Sequence, residues 1–145
     1  MTQEKKLSLT VHSVIDNLDD AGLPDGEPEI NIFTTDGTLA VYDRGTKLSF
    51  TEKSESDVTA STIFITADEV RLFKKGAIEA DMLFKEGEIS KTLYHVGPYA
   101  FDMLITTKKI RCSIGEAGGE LQLIYSMNVG GQEKNVRMKI TARGK

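Results

Sequence analysis

Apolar and polar side chains alternate with a period of two along most of this chain, and that pattern constrains its fold more than any other feature. Leu7, Leu9 and Val11 alternate with Ser8, Thr10 and His12. Tyr99, Phe101, Met103 and Ile105 alternate with Ala100, Asp102, Leu104 and Thr106, and Leu121, Leu123, Tyr125 and Met127 with Gln122, Ile124, Ser126 and Asn128. Val136, Met138 and Ile140 repeat the pattern near the end of the chain. Successive side chains on a strand point to opposite faces, so each run carries one apolar and one mainly polar face. No window of about 11 residues holds a helical stripe, and the chain reads as all-β.

Turn signals punctuate these runs. Asp36-Gly37, Arg44-Gly45, Lys75-Gly76, Glu86-Gly87, Gly97-Pro98, Gly118-Gly119 and Gly130-Gly131 each stand between two strand-like stretches, with a polar turn expected near Thr106, Thr107 and Lys108. The resulting segments are 5–15, 28–35, 38–43, 46–52, 58–66, 69–75, 77–85, 88–96, 99–106, 108–115, 119–129 and 133–142, some of which merge. The acidic stretch 16–27, with Gly22, Pro24 and Gly26, reads as a mobile hairpin loop. Strands in this rhythm form a meander, and a meander of this length manages its edges best by closing on itself. The expectation is one closed antiparallel β-barrel of roughly eight to ten strands, a single domain over residues 1–145.

Composition supports a globular chain: 39% of its 145 residues are apolar and 28% charged. No stretch approaches the ~20 apolar residues of a membrane helix, and Met1–Lys6 lead into an alternating strand without the apolar core of a signal peptide. One cysteine, Cys112, excludes an internal disulfide framework and suits a reducing compartment, so a cytoplasmic location is expected. The net charge of −4 argues against a general nucleic-acid binder. It conceals an asymmetry: residues 1–70 carry 5 Lys and Arg against 14 Asp and Glu, whereas residues 71–145 carry 13 against 8. A barrel with such a dipole can offer a basic surface to an anionic partner, although compensating charges that keep the surface wet are the ordinary reading.

The order and spacing of several motifs in the second half resemble the YwiB-like family of bacterial proteins. Lys74-Lys75-Gly76 precedes Met82-Leu83-Phe84 and Gly87; Tyr94 precedes Gly97-Pro98-Tyr99-Ala100 and Met103. Thr106-Thr107 leads to Ile110, Gly119-Glu120-Leu121 to Tyr125, and the last strand ends in Met138-Lys139-Ile140. The first half agrees more loosely, through its opening strand and Thr35-Asp36-Gly37. The chain departs from the family pattern at Lys74, where arginine is usual, at Gly97, where threonine is, and at Ala100, where glycine is. The resemblance implies a calycin-type, lipocalin-like barrel, bacterial and cytoplasmic, with no established activity. With no tryptophan in the chain, the lipocalin Gly-x-Trp signature is missing, and no ligand residue carries over.

Candidate chemistry is sparse. His12 and His95 lie on distant strands without a metal-ligand spacing partner, and read as ordinary surface histidines. Cys112 alternates with Ile110 and Ile114, which places it on an apolar face as a small buried hydrophobe. Glu79, Asp81 and Asp102 occupy polar faces. The Asp16–Asp20 cluster fails the calcium-loop pattern at Leu18 and Ala21, and glycines 115, 118 and 119 are followed by neither the lysine nor the helix of a phosphate loop. No catalytic residue, metal or cofactor is therefore expected, and the chain does not read as an enzyme.

Aromatic residues fall on nearly every strand, from Phe33 to Tyr125, and either fill the barrel or line a cavity in it. The functional expectation is a non-enzymatic barrel that binds a small, partly apolar ligand, with Tyr94, Tyr99, Phe101 and Tyr125 as its candidate lining. The alternative is a filled barrel acting as an interaction module, whose basic C-terminal half meets a protein or RNA partner. Strands of such barrels also pair across subunits, which leaves a homodimer open.

Overall fold

The computed structural model describes residues 4–53 and 57–144. Ten strands account for nearly all of them: β1 (Glu4–Asn17), β2 (Glu29–Tyr42), β3 (Gly45–Lys53), β4 (Val58–Ile65), β5 (Val70–Gly76), β6 (Ile78–Phe84), β7 (Ile89–Val96), β8 (Tyr99–Cys112), β9 (Gly118–Val129) and β10 (Gln132–Gly144). Every strand pairs antiparallel with its sequence neighbours, and β1 pairs with β10, so the meander closes into a barrel with no end strand.

Two of the expected turns are not turns. β2 runs unbroken through Asp36-Gly37, and Gly37 is there for closeness of approach. A Cβ at that position would stand 2.5 Å from Leu9 Cδ1 and 2.7 Å from the Ser49 carbonyl oxygen. β8 likewise runs through Thr106–Lys108, where the pairing with β9 slips at a bulge between Thr107 and Lys109. A bulge loosens the ladder locally, and on the opposite edge of β8 the β6–β7 turn holds the strand. Gly87 N–H donates to the Thr107 carbonyl at 2.9 Å, Thr107 N–H to the Glu88 carbonyl at 3.2 Å, and Ile110 N–H to Glu86 Oε1 at 2.8 Å.

Register fixes which side chains look inward, because directly paired residues share a face. One inward rung runs Leu9–Ala142 and Leu9–Thr35; another runs Leu48–Ile63, Ile63–Leu72 and Leu72–Met82. These belong to a continuous core that includes Leu7, Leu39, Val70, Phe84, Ile105, Leu121, Leu123 and Ile140. The core is displaced toward the end where the chain starts and finishes, and there the barrel is plugged. At the other end, which carries the β1–β2, β5–β6, β7–β8 and β9–β10 connections, the inward positions change character.

Candidate functional site

The open end holds a cavity of about 1070 Å³, whose wall includes Phe33, Thr35, Glu52, Thr59, Ile78 and Val96. It exists because β2 and β3 part company. Their pairing covers Gly37–Tyr42 of β2 only, so Glu29–Asp36 keep β1 on one side and have no strand on the other. Thr35 Oγ1, donating to the Thr51 carbonyl at 3.2 Å, marks where the two strands diverge. Across the mouth, β6 and β7 are joined by only the pairs Ile78–Val96 and Glu79–His95. Phe33 stands against Phe50, ring centroids 6.3 Å apart, and forms the apolar part of the wall next to the core.

The floor is charged. Glu52 follows Leu48 and Phe50 on the inward face of β3, and Lys74 follows Val70 and Leu72 on that of β5. They meet across β4 as an ion pair of 3.7 Å, with side chains 31% and 20% exposed. Between them on β4 lie Thr59, paired with Glu52, and Ser61, paired with Lys74. Ser61 is 1% exposed and its hydroxyl oxygen has no hydrogen-bond partner. Tyr94 reaches this layer from β7: burial raises its pKa, and the Glu52 carboxylate raises it further. Tyr125 lies deeper, its pKa raised by complete burial and then by Tyr94.

The four aromatic candidates thus occupy three depths. Tyr125 is a core residue packed edge-on against Phe84, with centroids 4.7 Å apart. Tyr94 is half-buried against the core beside the cavity floor. Tyr99 and Phe101 stand at the rim, 66% and 40% exposed. Sequence reasoning passed over Glu52 and the inward aim of Lys74, although one signal pointed to both: each is a charge at the apolar parity of its strand. Thr59 and Ser61 share that parity on β4 and were equally overlooked.

The remaining candidates lie outside the cavity. His12 faces outward on β1, and His95 and Glu79 pair with each other on the outer face. Asp81 makes a surface ion pair with Arg71 at 3.4 Å, and Asp102 is exposed. Asp19 is a turn residue, its carboxylate accepting from the backbone N–H groups of Ala21 and Leu23. Cys112 requires a correction: it pairs with the inward Leu121 by register, but as the last residue of β8 it stands at the strand's end and is exposed. Among the described residues no group of three or more His, Cys, Asp or Glu side chains is arranged to hold a metal.

Comparison with known proteins agrees with this architecture. A family model described as a domain of unknown function (DUF1934) matches residues 23–141. The uncharacterized beta-barrel protein YwiB of Bacillus subtilis (strain 168) is 26% identical over 145 residues, covering 99% of this chain and 97% of the relative. The crystal structure of the Bacillus subtilis protein superposes with a TM-score of 0.85, covering 98% of this chain and 93% of that one.

Proposed function

Because the chain belongs to the DUF1934 family, whose function is unknown, we propose on geometry that it is a non-enzymatic binding barrel, holding a small, partly apolar ligand at its open end. The observation that carries this reading is the cavity itself, about 1070 Å³, with Phe33, Ala77, Ile78 and Val96 set among threonines and charged side chains. Ligand sites are typically concavities of roughly 300–1,000 Å³ with a few placed polar groups. Phe33, Ile78 and Val96 supply apolar surface; Thr35, Thr59 and Glu52 supply the polar groups. None of Tyr94, Tyr99, Phe101 and Tyr125 is part of the cavity wall; Tyr94 alone borders it, beside Glu52. A cytoplasmic location fits a barrel whose outward rows carry lysine, arginine and threonine and whose one thiol is exposed.

Mass spectrometry of the purified protein, native against denatured, tests the reading. A constant extra mass lost on denaturation is the expected result and defines the ligand class. A clean apo mass, together with no uptake from a metabolite extract, refutes it.

One observation favours a second reading, a surface that meets an anionic partner. Pairing across β8, β9, β10 and β1 sets Lys109, Ile124, Arg137 and Val14 in one outward row, and Arg111, Gln122, Lys139 and His12 in the next. These rows bring four cations of the C-terminal half to one face, Lys139 among them in an ion pair with Glu120 at 3.5 Å. Binding of RNA or an acidic protein there would weaken steeply with salt, since counterions are released on contact; Arg137→Glu would abolish it.

A further inference from the structure

Resting on the ligand-binding reading above, we propose that the ligand enters polar end first and that this end is a cation, a protonated amine seated on Glu52. The arrangement inverts the usual one, in which the apolar part of a ligand goes deepest. Here the deepest accessible surface is the Glu52–Lys74 layer, and below it the core is packed. The apolar side chains Phe33, Ile78 and Val96 line the way in.

Sign follows from which member of the ion pair the cavity meets. The charged side chains of the wall are Asp36, Glu52 and Asp57 against Lys53, a net negative lining, whereas Lys74 is bound to Glu52 from outside it. Beyond the lip, the β1–β2 connection adds Asp19, Asp20, Asp25 and Glu27, so the approach is strongly negative. An anionic head would find Lys53 alone among these carboxylates and would have to displace Glu52 to reach Lys74. An ammonium group would meet a carboxylate at once.

Ser61 is the independent sign that the layer is built for exchange. A buried hydroxyl without a partner costs about 1–3 kcal/mol, and this one lies directly across from Lys74 in the β4–β5 register. The Lys74–Glu52 contact is long, at 3.7 Å. When a ligand ammonium takes Glu52, Lys74 is freed to donate to Ser61 Oγ, and the orphaned hydroxyl gains its bond. The layer then holds two cations against one carboxylate: the ligand replaces Lys74 at Glu52, and Lys74, 20% exposed, donates to the neutral hydroxyl and keeps the rest of its ammonium on solvent.

A matched series of probes tests this: decylammonium, decanoate and 1-decanol, titrated calorimetrically below their micellar concentrations. Decylammonium is expected to bind at least about 10-fold tighter than decanoate, in line with the strength of a charge-assisted hydrogen bond. Glu52→Gln should erase that preference and leave 1-decanol within about 2-fold. Ser61→Ala, which keeps the fold, should weaken decylammonium by about 3-fold without touching 1-decanol. Equal or tighter binding of decanoate, or a preference that survives Glu52→Gln, overturns the cationic head while leaving a ligand-binding barrel. Failure of the whole series to bind overturns the inference, and the native mass measurement then decides separately whether the barrel carries any ligand.

Discussion

Replacing Ser61 by alanine should make the unliganded protein more stable. Its side chain is 1% exposed, and its hydroxyl, unlike the other buried hydroxyls, has neither a partner nor contact with solvent. Stranding such a group costs about 1–3 kcal/mol. Removing the oxygen recovers that cost and leaves a void smaller than a methyl group, which returns up to ~1 kcal/mol. The net expectation is a gain of about 1 kcal/mol. For a chain of this length that raises Tm by about 2–4 °C. With an m-value of about 2 kcal/mol/M it moves the urea midpoint by about 0.5 M, m itself unchanged. Thr107→Val supplies the internal contrast. Thr107 is also buried and inward, but its Oγ1 accepts from Lys85 N–H at 3.2 Å. Its loss strands a donor and should destabilise by about 1–2 kcal/mol. A Ser61→Ala protein that is less stable by 1 kcal/mol or more would mean that the hydroxyl is bonded in the native state, and the argument for an exchange layer would fall. Gaining stability by deleting a group that ligand binding needs is the usual trade between stability and function.

Three further outcomes follow from the geometry. Gly37→Ala should cost about 1–3 kcal/mol by overpacking against Leu9 and the Ser49 carbonyl, whereas Gly115→Ala, with nothing within 4 Å, should stay within about 0.5 kcal/mol of the parent in urea unfolding. Cys112 should be labelled by a maleimide in the folded protein without denaturant; labelling only after denaturation would return it to the core. Tyr94 and Tyr125 have folded pKa values raised above the ordinary 10.0, so the stability they contribute is complete below pH 10 and declines as pH rises beyond it. Melting curves from pH 8 to about pH 11 should show that decline, and Tyr125→Phe should lessen it.

Much of the architecture is legible in the chain because strand alternation and turn chemistry are local. Leu121, Leu123 and Tyr125 all prove to face inward, and Gly97-Pro98 and Gly130-Gly131 both prove to be turns. Gly37 misleads because its reason lies in β1 and β3, where Leu9 and Ser49 crowd it. Thr107 misleads because a bulge is a disagreement between two strands, β8 and β9, and the β6–β7 turn holds β8 extended from its other edge. The site itself was half legible. That Glu52 and Lys74 face inward follows from parity alone, but that they meet requires β4 between them at a particular register.

What the sequence by itself determined is the face each side chain takes, since that depends on backbone stereochemistry from one residue to the next. What only the tertiary structure decided is depth. Phe101 and Tyr125 share the inward face, yet one is 40% exposed at the rim and the other 3% exposed in the core. Depth along a barrel axis is set by the stagger of every strand against its neighbours, including the closure of β1 on β10. Those are contacts between residues far apart in the chain, and together they plug one end of this barrel and leave the other open.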